Sequence, residues 1–361
     1  MNKPAISVAM SVFNNAPYLE ASIVSILEQS FGDFEFLVVN DGSSDESASI
    51  IEGFARLDGR IRLFCQPNRG LVTSLNRLLA EAGAPLIARM DGDDIALPER
   101  FARQVEYLRS HPDVGVLGTS THDIDESGKI VRENAGYPCD HDALVEGIGH
   151  RSPFCHPSVI MRTDVVRGAG GYRAAFAHCE DYDLWLRLAE RTLLANLPEP
   201  LLLYRRSAGQ VSNRHVLTQH FGSEVARLAR RERQAGRPDP IDGLGRIPSF
   251  EELDLLFGTG AGHQTRANVA LSIVHSPVSL RGEGLNLIVE HVDDGGRTNG
   301  LWRTACRLMK LGEVRRAVLL ALALIRARFV RRQTVPRRGA PHLRESHLQP
   351  LTLGPIGVLD Q

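Results

Sequence analysis

The chain has 361 residues, of which 43% are apolar, so it can bury at least one large core, and one large domain with a smaller appendage is the expected division. A formal net charge of -1 argues against nucleic acid as the main partner. The five cysteines lie far apart without a Cys-x-x-Cys pair, which argues against a zinc site or a disulfide framework and favours a reducing, cytoplasmic environment. Serines interrupt the N-terminal apolar run, which does not resemble a signal peptide, and no stretch reaches the ~20 apolar residues that span a bilayer.

The first part of the chain alternates between strand-like and helix-like spacing of apolar side chains. Strands are predicted at residues 6–12, 34–39, 61–65 and 86–91. A helix is predicted after each of the first three. Asn15 and Pro17 mark the start of the first helix, and Ser43 with Glu46 has the spacing of a capping box for the second. This alternation predicts an α/β fold with a parallel sheet covered by helices on both faces.

Polar side chains follow each of these four strands. Ligands of such sheets bind at the carboxyl ends of the strands, so these side chains should meet at one edge. They are Asn14 and Asn15 after the first strand, Asp41 after the second, Asn68 and Arg69 after the third, and Asp91 to Asp94 after the fourth. The sequence therefore predicts a binding site at this edge.

The most acidic of these segments is Asp91-Gly92-Asp93-Asp94. Clustered carboxylates repel each other unless a cation neutralises them, and Mg²⁺ and Mn²⁺ take oxygen ligands. The alternative is a solvated acidic turn, because Asp-Gly is a common turn pair. The sequence contains no complete glycine-rich phosphate loop. A carboxylate-held metal that completes its shell with the phosphates of a nucleoside diphosphate would explain both features, with Asp41 free to bind the base or ribose.

Four sequence motifs occur in an order that is similar to one known family. They are residues 7–14 (SVAMSVFN), 39–45 (VNDGSSD), 91–94 (DGDD, followed by Pro98) and 180–185 (EDYDLW). Together they resemble the family 2 glycosyltransferases over about the first 210 residues. The resemblance implies a GT-A fold, which is a Rossmann-like α/β fold with a mixed, mainly parallel sheet flanked by helices. It also implies transfer of a sugar from a nucleotide-sugar with inversion.

The resemblance implies roles for the residues at the strand ends. Asp93 is expected to bind Mg²⁺ or Mn²⁺, with Asp91 near the ribose and as a second metal ligand. Asp94 is explained at least as well by hydrogen bonds that hold the turn. The nucleotide, usually uridine in this family, is expected at a set of residues near the four strand ends. The predicted nucleotide-binding residues are Val12, Phe13, Asn14, Asp41, Asn68, Arg69, Asp91 and Gly92.

Two histidines and an arginine-containing loop also match parts of the family pattern. Arg205, Arg206, Ser212 and His215 resemble the loop that closes over the donor phosphates. His215 is a candidate metal ligand, with a solvated loop histidine as the alternative. His156 stands near the expected acceptor region, where a buried structural histidine is the favoured interpretation.

A second acidic pair, Glu180-Asp181, lies far along the chain from the first. In an inverting transfer an acceptor hydroxyl loses its proton to a carboxylate, while a metal stabilises the departing nucleoside diphosphate. The pair begins a predicted helix, where acidic residues are also ordinary. By its match to the family, Asp181 is the predicted general base, and Glu180 is predicted to support it or to touch the acceptor. Asp183 and Trp185 are interpreted as structural or acceptor-lining.

The sequence predicts three regions. Residues 1–235 form the GT-A catalytic domain, with a nucleotide-binding part at about 1–115 and an acceptor part at about 116–235. Residues 236–333 form a mainly helical C-terminal extension after a linker at 237–240, and residues 334–361 form a disordered tail. A basic amphipathic helix within residues 301–329 would lie either on an anionic membrane surface or on the catalytic domain.

The expected function is transfer of a sugar from a UDP-sugar to a hydroxyl of a glycan or lipid-linked acceptor in cell-surface polysaccharide synthesis. The expected location is cytoplasmic, with peripheral contact at the inner face of the membrane as one alternative, and no nucleic acid is expected as a partner. The Gln-x-x-Arg-Trp signature of processive synthases is missing, which favours addition of single sugars. The competing hypotheses are a nucleotidyltransferase, which should carry a triphosphate loop near the first strand, and a non-catalytic nucleotide-sugar-binding protein.

Overall fold

A mixed sheet lies at the centre of the computed structural model, which describes residues 3–133, 137–207 and 215–334. Within these residues the strands are β1 (Ile6–Val12), β2 (Phe34–Asn40), β3 (Ile61–Cys65), β4 (Leu86–Asp91), β5 (Ile95–Ala96), β6 (Val114–Ile124), β7 (Ile130–Glu133), β8 (Ile160–Arg162) and β9 (Leu193–Arg205). Their order is β3-β2-β1-β4-β8-β6-β9-β5, and β7 pairs with β6.

Helices cover the sheet and form the C-terminal part. Those of the first part are α1 (Ala16–Leu27), α2 (Ser47–Leu57), α3 (Leu71–Glu81), α4 (Arg100–Ser110), α5 (His141–Gly147), α6 (Thr163–Gly168), α7 (Glu180–Leu188) and α8 (Val216–Gln234). Those of the C-terminal part are α9 (Phe250–Phe257), α10 (Ala261–Ser272), α11 (Pro277–Arg281), α12 (Gly284–Asp293), α13 (Leu301–Lys310) and α14 (Val314–Thr334).

The first four strands form the parallel part of the sheet. Strand β1 pairs in parallel with β2 and β4, and β2 pairs in parallel with β3. Strand β8 then runs antiparallel between β4 and β6, and β6 pairs in parallel with β9. The register places Ser11 opposite Asp91 and Val12 opposite Asn40, so three strands end side by side. The predicted α/β fold with a mixed sheet flanked by helices is confirmed.

Two apolar clusters fill the two faces of the sheet, because side chains alternate along each strand. On β1, Ala9 packs into the cluster that contains Leu75 of α3 and Trp185 of α7. Val8 and Met10 pack into the opposite cluster, with α1 and α4. The helix α7 is therefore buried against the sheet face on which the side chain of Ala9 lies.

A third apolar cluster is formed by the five helices α10, α11, α12, α13 and α14. Packing also continues across residue 235, since Ile241 and Leu253 of the following segment belong to the cluster that contains α7. Asp239 is half-buried and forms ion pairs with Arg173 (2.8 Å) and Arg233 (2.6 Å). The predicted linker is thus anchored to the main domain. The division into a catalytic domain and a C-terminal extension stays a prediction.

The start of α2 and the length of one C-terminal helix differ from the sequence predictions. The predicted capping box of Ser43 and Glu46 is wrong, because α2 begins at Ser47 and Asp45 accepts the backbone N–H of Ser47 (3.0 Å). The predicted helix over residues 301–329 is divided at Gly312, whose φ of 76° favours glycine.

The helices in the described part of the chain are all too short or too polar to cross a membrane. Ser212 and the predicted tail from residue 335 lie outside the described residues.

Candidate active site

The ends of β1 and β2 are held together by side-chain hydrogen bonds. Asn14 has a φ of 54°, donates its backbone N–H to Ser43 Oγ (3.1 Å) and accepts the backbone N–H of Ser44 on its Oδ1 (2.8 Å). Phe13 beside it is exposed, whereas the side chain of Val12 is buried in the core. Among these predicted nucleotide-binding residues, Asn14 and Phe13 therefore offer side chains at the edge. Val12 does not, because its side chain points into the sheet core.

The Asp41 carboxylate is already engaged with the loop after β3. Its Oδ1 accepts hydrogen bonds from Gln66 Nε2 (2.8 Å) and the Arg69 N–H (2.9 Å), and its Oδ2 accepts the Gly70 N–H (2.9 Å). Asp41 is therefore not a free carboxylate, and its contact with a base or ribose stays a prediction that uses its remaining acceptor capacity. Asp41 orders the loop that carries Asn68 and Arg69, both exposed at the same edge.

The acidic turn after β4 brings three carboxylates together. One oxygen each from Asp91, Asp93 and Asp94 lies within 4.8 Å of the others. Such a set of hard oxygen donors fits a divalent cation. Burial and the charge of Asp91 raise the pKa of Asp93 to about 6. Asp91 itself forms an ion pair with Arg89, so the protein compensates part of its charge. Asp93 is then the carboxylate whose charge a cation would compensate.

Asp94 holds the turn in place. It is buried, its Oδ1 accepts the backbone N–H of Arg205 (2.7 Å), and burial with the neighbouring carboxylates raises its pKa well above the usual value. Its Oδ2 is buried and has no hydrogen-bond partner among the described residues. Arg205 also donates from Nε to the Asp93 carbonyl (2.7 Å). Arg205, which the family pattern assigned to the donor phosphates, is therefore buried in the turn itself.

Gly92, a further predicted nucleotide-binding residue, is buried within this turn. A Cβ at this position would lie 3.2 Å from Asn15 Cγ, so the turn packs closely against the start of α1. The side chain of Asn15 does not cap that helix, and its Oδ1 accepts the Phe13 N–H (3.1 Å) instead. The acidic turn and the end of β1 thus form one surface.

The Glu180-Asp181 pair begins α7, at the predicted position. Glu180 is buried, and burial together with the charge of Asp181 raises its pKa to about 7. Asp181 is half-buried, accepts the Tyr182 N–H on Oδ1 (2.7 Å), and has a pKa raised by burial. A raised pKa makes a carboxylate a better proton acceptor near neutral pH. Either residue has the properties of a general base, and Asp181 is the more accessible.

Helix α7 is fixed by buried contacts behind this pair. Asp183 forms ion pairs with Arg173 and with Arg187 (2.9 Å), and Arg173 also reaches Asp239 (2.8 Å). Trp185 packs edge-on against Phe154, with ring centroids 5.1 Å apart. Of the two interpretations given for Asp183 and Trp185, the structure favours the structural one, because both side chains are buried within the protein.

The two histidines lie on the α7 side of the site. His156 is buried, its Nε2 pairs with the Tyr172 hydroxyl (2.9 Å), and burial lowers its pKa well below the usual value, so it is a neutral, buried histidine. His215 stacks on His178, with ring centroids 3.7 Å apart. Within the described residues the acidic cluster does not include His215. His215, the predicted metal ligand, therefore lies beside His178, in the segment before Glu180.

The sequence reasoning missed Arg89, which is buried in β4 and paired with Asp91. The available signal was an arginine within an apolar strand, two residues before an aspartate. Residues two apart share one face of a strand, so the pairing could have been predicted from spacing.

Comparisons with known proteins identify the family of this chain. The profile of the family described as Glycosyl transferase family 2 matches residues 7–167. The chain is 34% identical over 204 residues to the O-antigen biosynthesis glycosyltransferase WbnJ of Escherichia coli, covering 55% of this chain and 79% of that relative. It is 34% identical over 212 residues to the amylovoran biosynthesis glycosyltransferase AmsE of Erwinia amylovora, covering 58% of this chain and 79% of the relative.

A solved structure shares the fold. The crystal structure of residues 1–349 of S. aureus TarS in complex with UDP-GlcNAc superposes with a TM-score of 0.53 at 15% identity, covering 92% of this chain and 93% of that one. This likeness supports the predicted GT-A fold. The relatives at 34% identity set aside the nucleotidyltransferase and the non-catalytic binding protein. The chain belongs to the family 2 glycosyltransferases and is a sugar-transferring enzyme.

Proposed function

We propose that this enzyme moves a sugar from a UDP-sugar to a hydroxyl of a glycan or lipid-linked acceptor, with inversion, in the synthesis of a cell-surface polysaccharide. One observation carries the proposal. Two acidic groups from distant parts of the chain lie on the side of the sheet that carries the buried Arg89: Asp91 forms an ion pair with it, and α7, which begins with Glu180-Asp181, packs on the same sheet face. One group suits the leaving-group side of a displacement, and the other suits the acceptor side.

The chemistry follows from these two groups. The acceptor oxygen forms a bond to the anomeric carbon as its proton passes to Asp181, and the bond from that carbon to the diphosphate oxygen breaks with its electron pair. A divalent cation at Asp93 and Asp91 would stabilise the charge on the departing diphosphate. Asp181 is assigned as the base rather than Glu180 because it is the less buried of the two. Attack from the face opposite the leaving group inverts the configuration.

The donor and acceptor classes have weaker support. Two relatives are named for the biosynthesis of O-antigen and amylovoran, which are polysaccharides. TarS, which shares only the fold, was solved with UDP-GlcNAc. Uridine donors are therefore the first class to test. Asn14, Phe13, Asn68, Arg69 and Gly92 lie at the sheet edge that would hold the nucleotide, around a loop ordered by Asp41.

A donor panel tests the proposal. The enzyme is incubated with UDP-glucose, UDP-galactose, UDP-GlcNAc or GDP-mannose, with Mn²⁺ or Mg²⁺ and a lipid-linked or oligosaccharide acceptor, and the released diphosphate and the product anomer are measured. UDP release with an inverted product supports the proposal. Release of GDP alone would overturn the uridine donor, and a retained configuration would overturn the single displacement.

Matched variants assign the base. Asp181→Asn should lose transfer while still binding UDP with Mn²⁺. The control is Asp140→Asn, because Asp140 caps α5 by accepting the Ala143 N–H (3.0 Å) and asparagine caps a helix equally well. Full transfer by Asp181→Asn would contradict the assignment of the base.

We extend the proposal to a membrane surface, where a lipid-linked acceptor would be found. Helix α14 exposes an apolar stripe whose members are four, four, three and four residues apart and between 42% and 61% exposed: Val314, Val318, Leu322, Ile325 and Phe329. Arg315 and Arg328 are exposed on the same helix. An apolar stripe beside arginines is complementary to an anionic lipid surface. Ala317, Leu320 and Leu324 pack this helix onto the third cluster, so it would contact lipid while folded.

Vesicle binding tests this surface. Co-sedimentation with phosphatidylglycerol vesicles should exceed that with phosphatidylcholine vesicles and should fall on Leu322→Glu. Leu57→Glu is the control, because Leu57 is an exposed leucine on α2. Equal binding by both variants, or a dimer in solution that Leu322→Glu dissociates, would contradict the lipid surface.

A further inference from the structure

Arg89 is a buried arginine of β4 that lies against the acidic turn. It occupies the middle of β4, with only 2% of its surface exposed. Its neighbours on the same strand face are Ile87 and Asp91. Ile87 belongs to the apolar cluster that contains Trp185 of α7, so Arg89 lies on the sheet face that α7 covers.

The contacts of this guanidinium connect it to the acidic turn. It forms an ion pair with Asp91, whereas its Nε is buried without a hydrogen-bond partner in the described part of the chain. On the α7 side, Glu180 Oε2 is likewise buried without a hydrogen-bond partner among those residues. A buried arginine with donors left over is costly unless other groups in the assembled site use them.

The charge of Arg89 reaches the second acidic group. It lowers the pKa of both Glu180 and Asp181, against the burial that raises them. The aromatic groups around it are neutral, since His156 is held uncharged by burial and by Arg89 itself and pairs with the Tyr172 hydroxyl. These neighbours cannot replace the positive charge.

We propose that Arg89 is a positioning residue for sugar transfer: its guanidinium fixes the Asp91 carboxylate on the donor side and supplies the positive charge that the Glu180-Asp181 pair shares on the acceptor side. It acts through these carboxylates: it holds Asp91 by direct contact and acts on the Glu180-Asp181 pair through its charge. This inference rests on the proposed function, because it assigns those halves their roles.

Another buried arginine provides a matched control. Arg100 of α4 is also fully buried, but it donates to backbone carbonyls, with Nη2 2.8 Å from the Arg89 oxygen, and its helix packs on the opposite face of the sheet. If burial of an arginine were the only contribution, Arg89→Met and Arg100→Met would have similar effects. If Arg89 positions the carboxylates, the two variants should differ in turnover at temperatures where both remain folded.

The first measurement is steady-state turnover with the donor found by the panel. Arg89→Met should lower kcat by about 100-fold, which corresponds to two tenfold steps in transition-state stabilisation, with a smaller change in the acceptor KM. Arg89→Lys should recover at least about tenfold of that loss, because it restores the charge without the planar fork. Arg100→Met should stay within about threefold of the unmodified enzyme. Equal losses in Arg89→Met and Arg89→Lys, or in Arg89→Met and Arg100→Met, would overturn the proposal.

A double-mutant cycle tests whether one side chain joins the two halves. Arg89→Met and Glu180→Gln are measured singly and together at pH 8, above the pKa of about 7 to which burial raises Glu180. Coupling predicts that the double variant loses less than the product of the two single losses. Independent, multiplicative losses would overturn the shared role.

A binding measurement separates this inference from the proposed function. Titration of UDP in the presence of Mn²⁺ should show about tenfold weaker affinity for Arg89→Met than for Arg100→Met, because Asp91 loses its partner. The unmodified enzyme could turn over no donor in the panel while the two variants still differ in UDP affinity. The proposed function would then be wrong, and the positioning of Asp91 by Arg89 would still be supported. Unchanged affinity would overturn that positioning, whatever the donor.

Discussion

Asp94 Oδ1 accepts the backbone N–H of Arg205 at 2.7 Å, and this bond ties the acidic turn after β4 to the end of β9. The guanidinium of Arg205 adds bonds to the carbonyls of Asp93 (2.7 Å) and Asp125 (2.8 Å) and lies 4.3 Å from the Tyr18 ring centroid. The turn is therefore held from the far side of the sheet. Asp94 therefore shapes the turn, whereas Asp93 is the carboxylate that is available to a metal.

Substitution of Asp94 should distinguish shape from charge. Asp94→Ala leaves the buried Arg205 N–H without its acceptor, so the free energy of unfolding should fall by about 1–3 kcal/mol. Asp94→Asn keeps an acceptor oxygen, so its free energy of unfolding should fall by less. Loss of the charge should matter little, because burial already disfavours the charged form of Asp94. Urea unfolding measures both. Equal losses from the two variants would contradict the role of this hydrogen bond.

Metal-dependent nucleotide binding should depend on Asp93 and on pH. Asp93→Asn should abolish the increase in UDP affinity that Mn²⁺ gives, measured by calorimetry. Asp58→Asn should leave it unchanged, because Asp58 follows α2 and pairs with Arg60 (2.7 Å) instead of joining the acidic turn. In the unmodified enzyme the pKa of Asp93 is raised to about 6, so protons should compete with Mn²⁺ and the affinity should fall as the pH drops through this value. An affinity that is constant from pH 8 to pH 5 would contradict this assignment.

The pH dependence of transfer should report the Glu180-Asp181 pair. The base acts in its ionised form, and burial raises the pKa of both carboxyls, that of Glu180 to about 7. The value of kcat/KM should therefore fall on the acid side at a higher pH than an ordinary aspartate would give, with apparent values that belong to the pair. Glu180→Gln removes a neighbouring negative charge, so the acid limb should move to lower pH. An unmoved limb would contradict the coupling.

Much of the fold was predictable because its signals are local. Apolar spacing of two in β1 and short apolar runs in the next strands gave β1 to β4 to within a residue of their ends. The rule that parallel strands bind ligands at their carboxyl ends gathered Asn14, Asp41 and Asp91 at one edge. Chain order then placed Glu180 at the start of a buried helix.

The details that the sequence did not predict depend on long-range contacts. The bond between Asp94 and Arg205 joins residues 111 positions apart, and Asp41 accepts three hydrogen bonds from a loop 25 to 29 residues further on. No periodicity encodes such partners, because hydrogen-bond geometry is fixed only once the strands are assembled. For the same reason, the resemblance to the family's loop assigned Arg205 to the donor phosphates, and its burial became evident only in the fold.

Stability should respond in opposite ways to two aspartates of α7. Asp183 is buried between Arg173 and Arg187, so Asp183→Ala leaves the buried Arg187 without its carboxylate and Arg173 with Asp239 alone, and should cost about 3–5 kcal/mol. Asp181 has a pKa raised by burial, which means that the folded state disfavours its charge above that pKa. Its contribution to stability is therefore lost as the pH rises, and Asp181→Asn should be neutral or stabilising at pH 8. Urea unfolding of the metal-free enzyme at pH 8 measures both variants. If Asp181→Asn lost as much stability as Asp183→Ala, Asp181 would be a residue that stabilises the fold. That result would contradict its assignment as the general base.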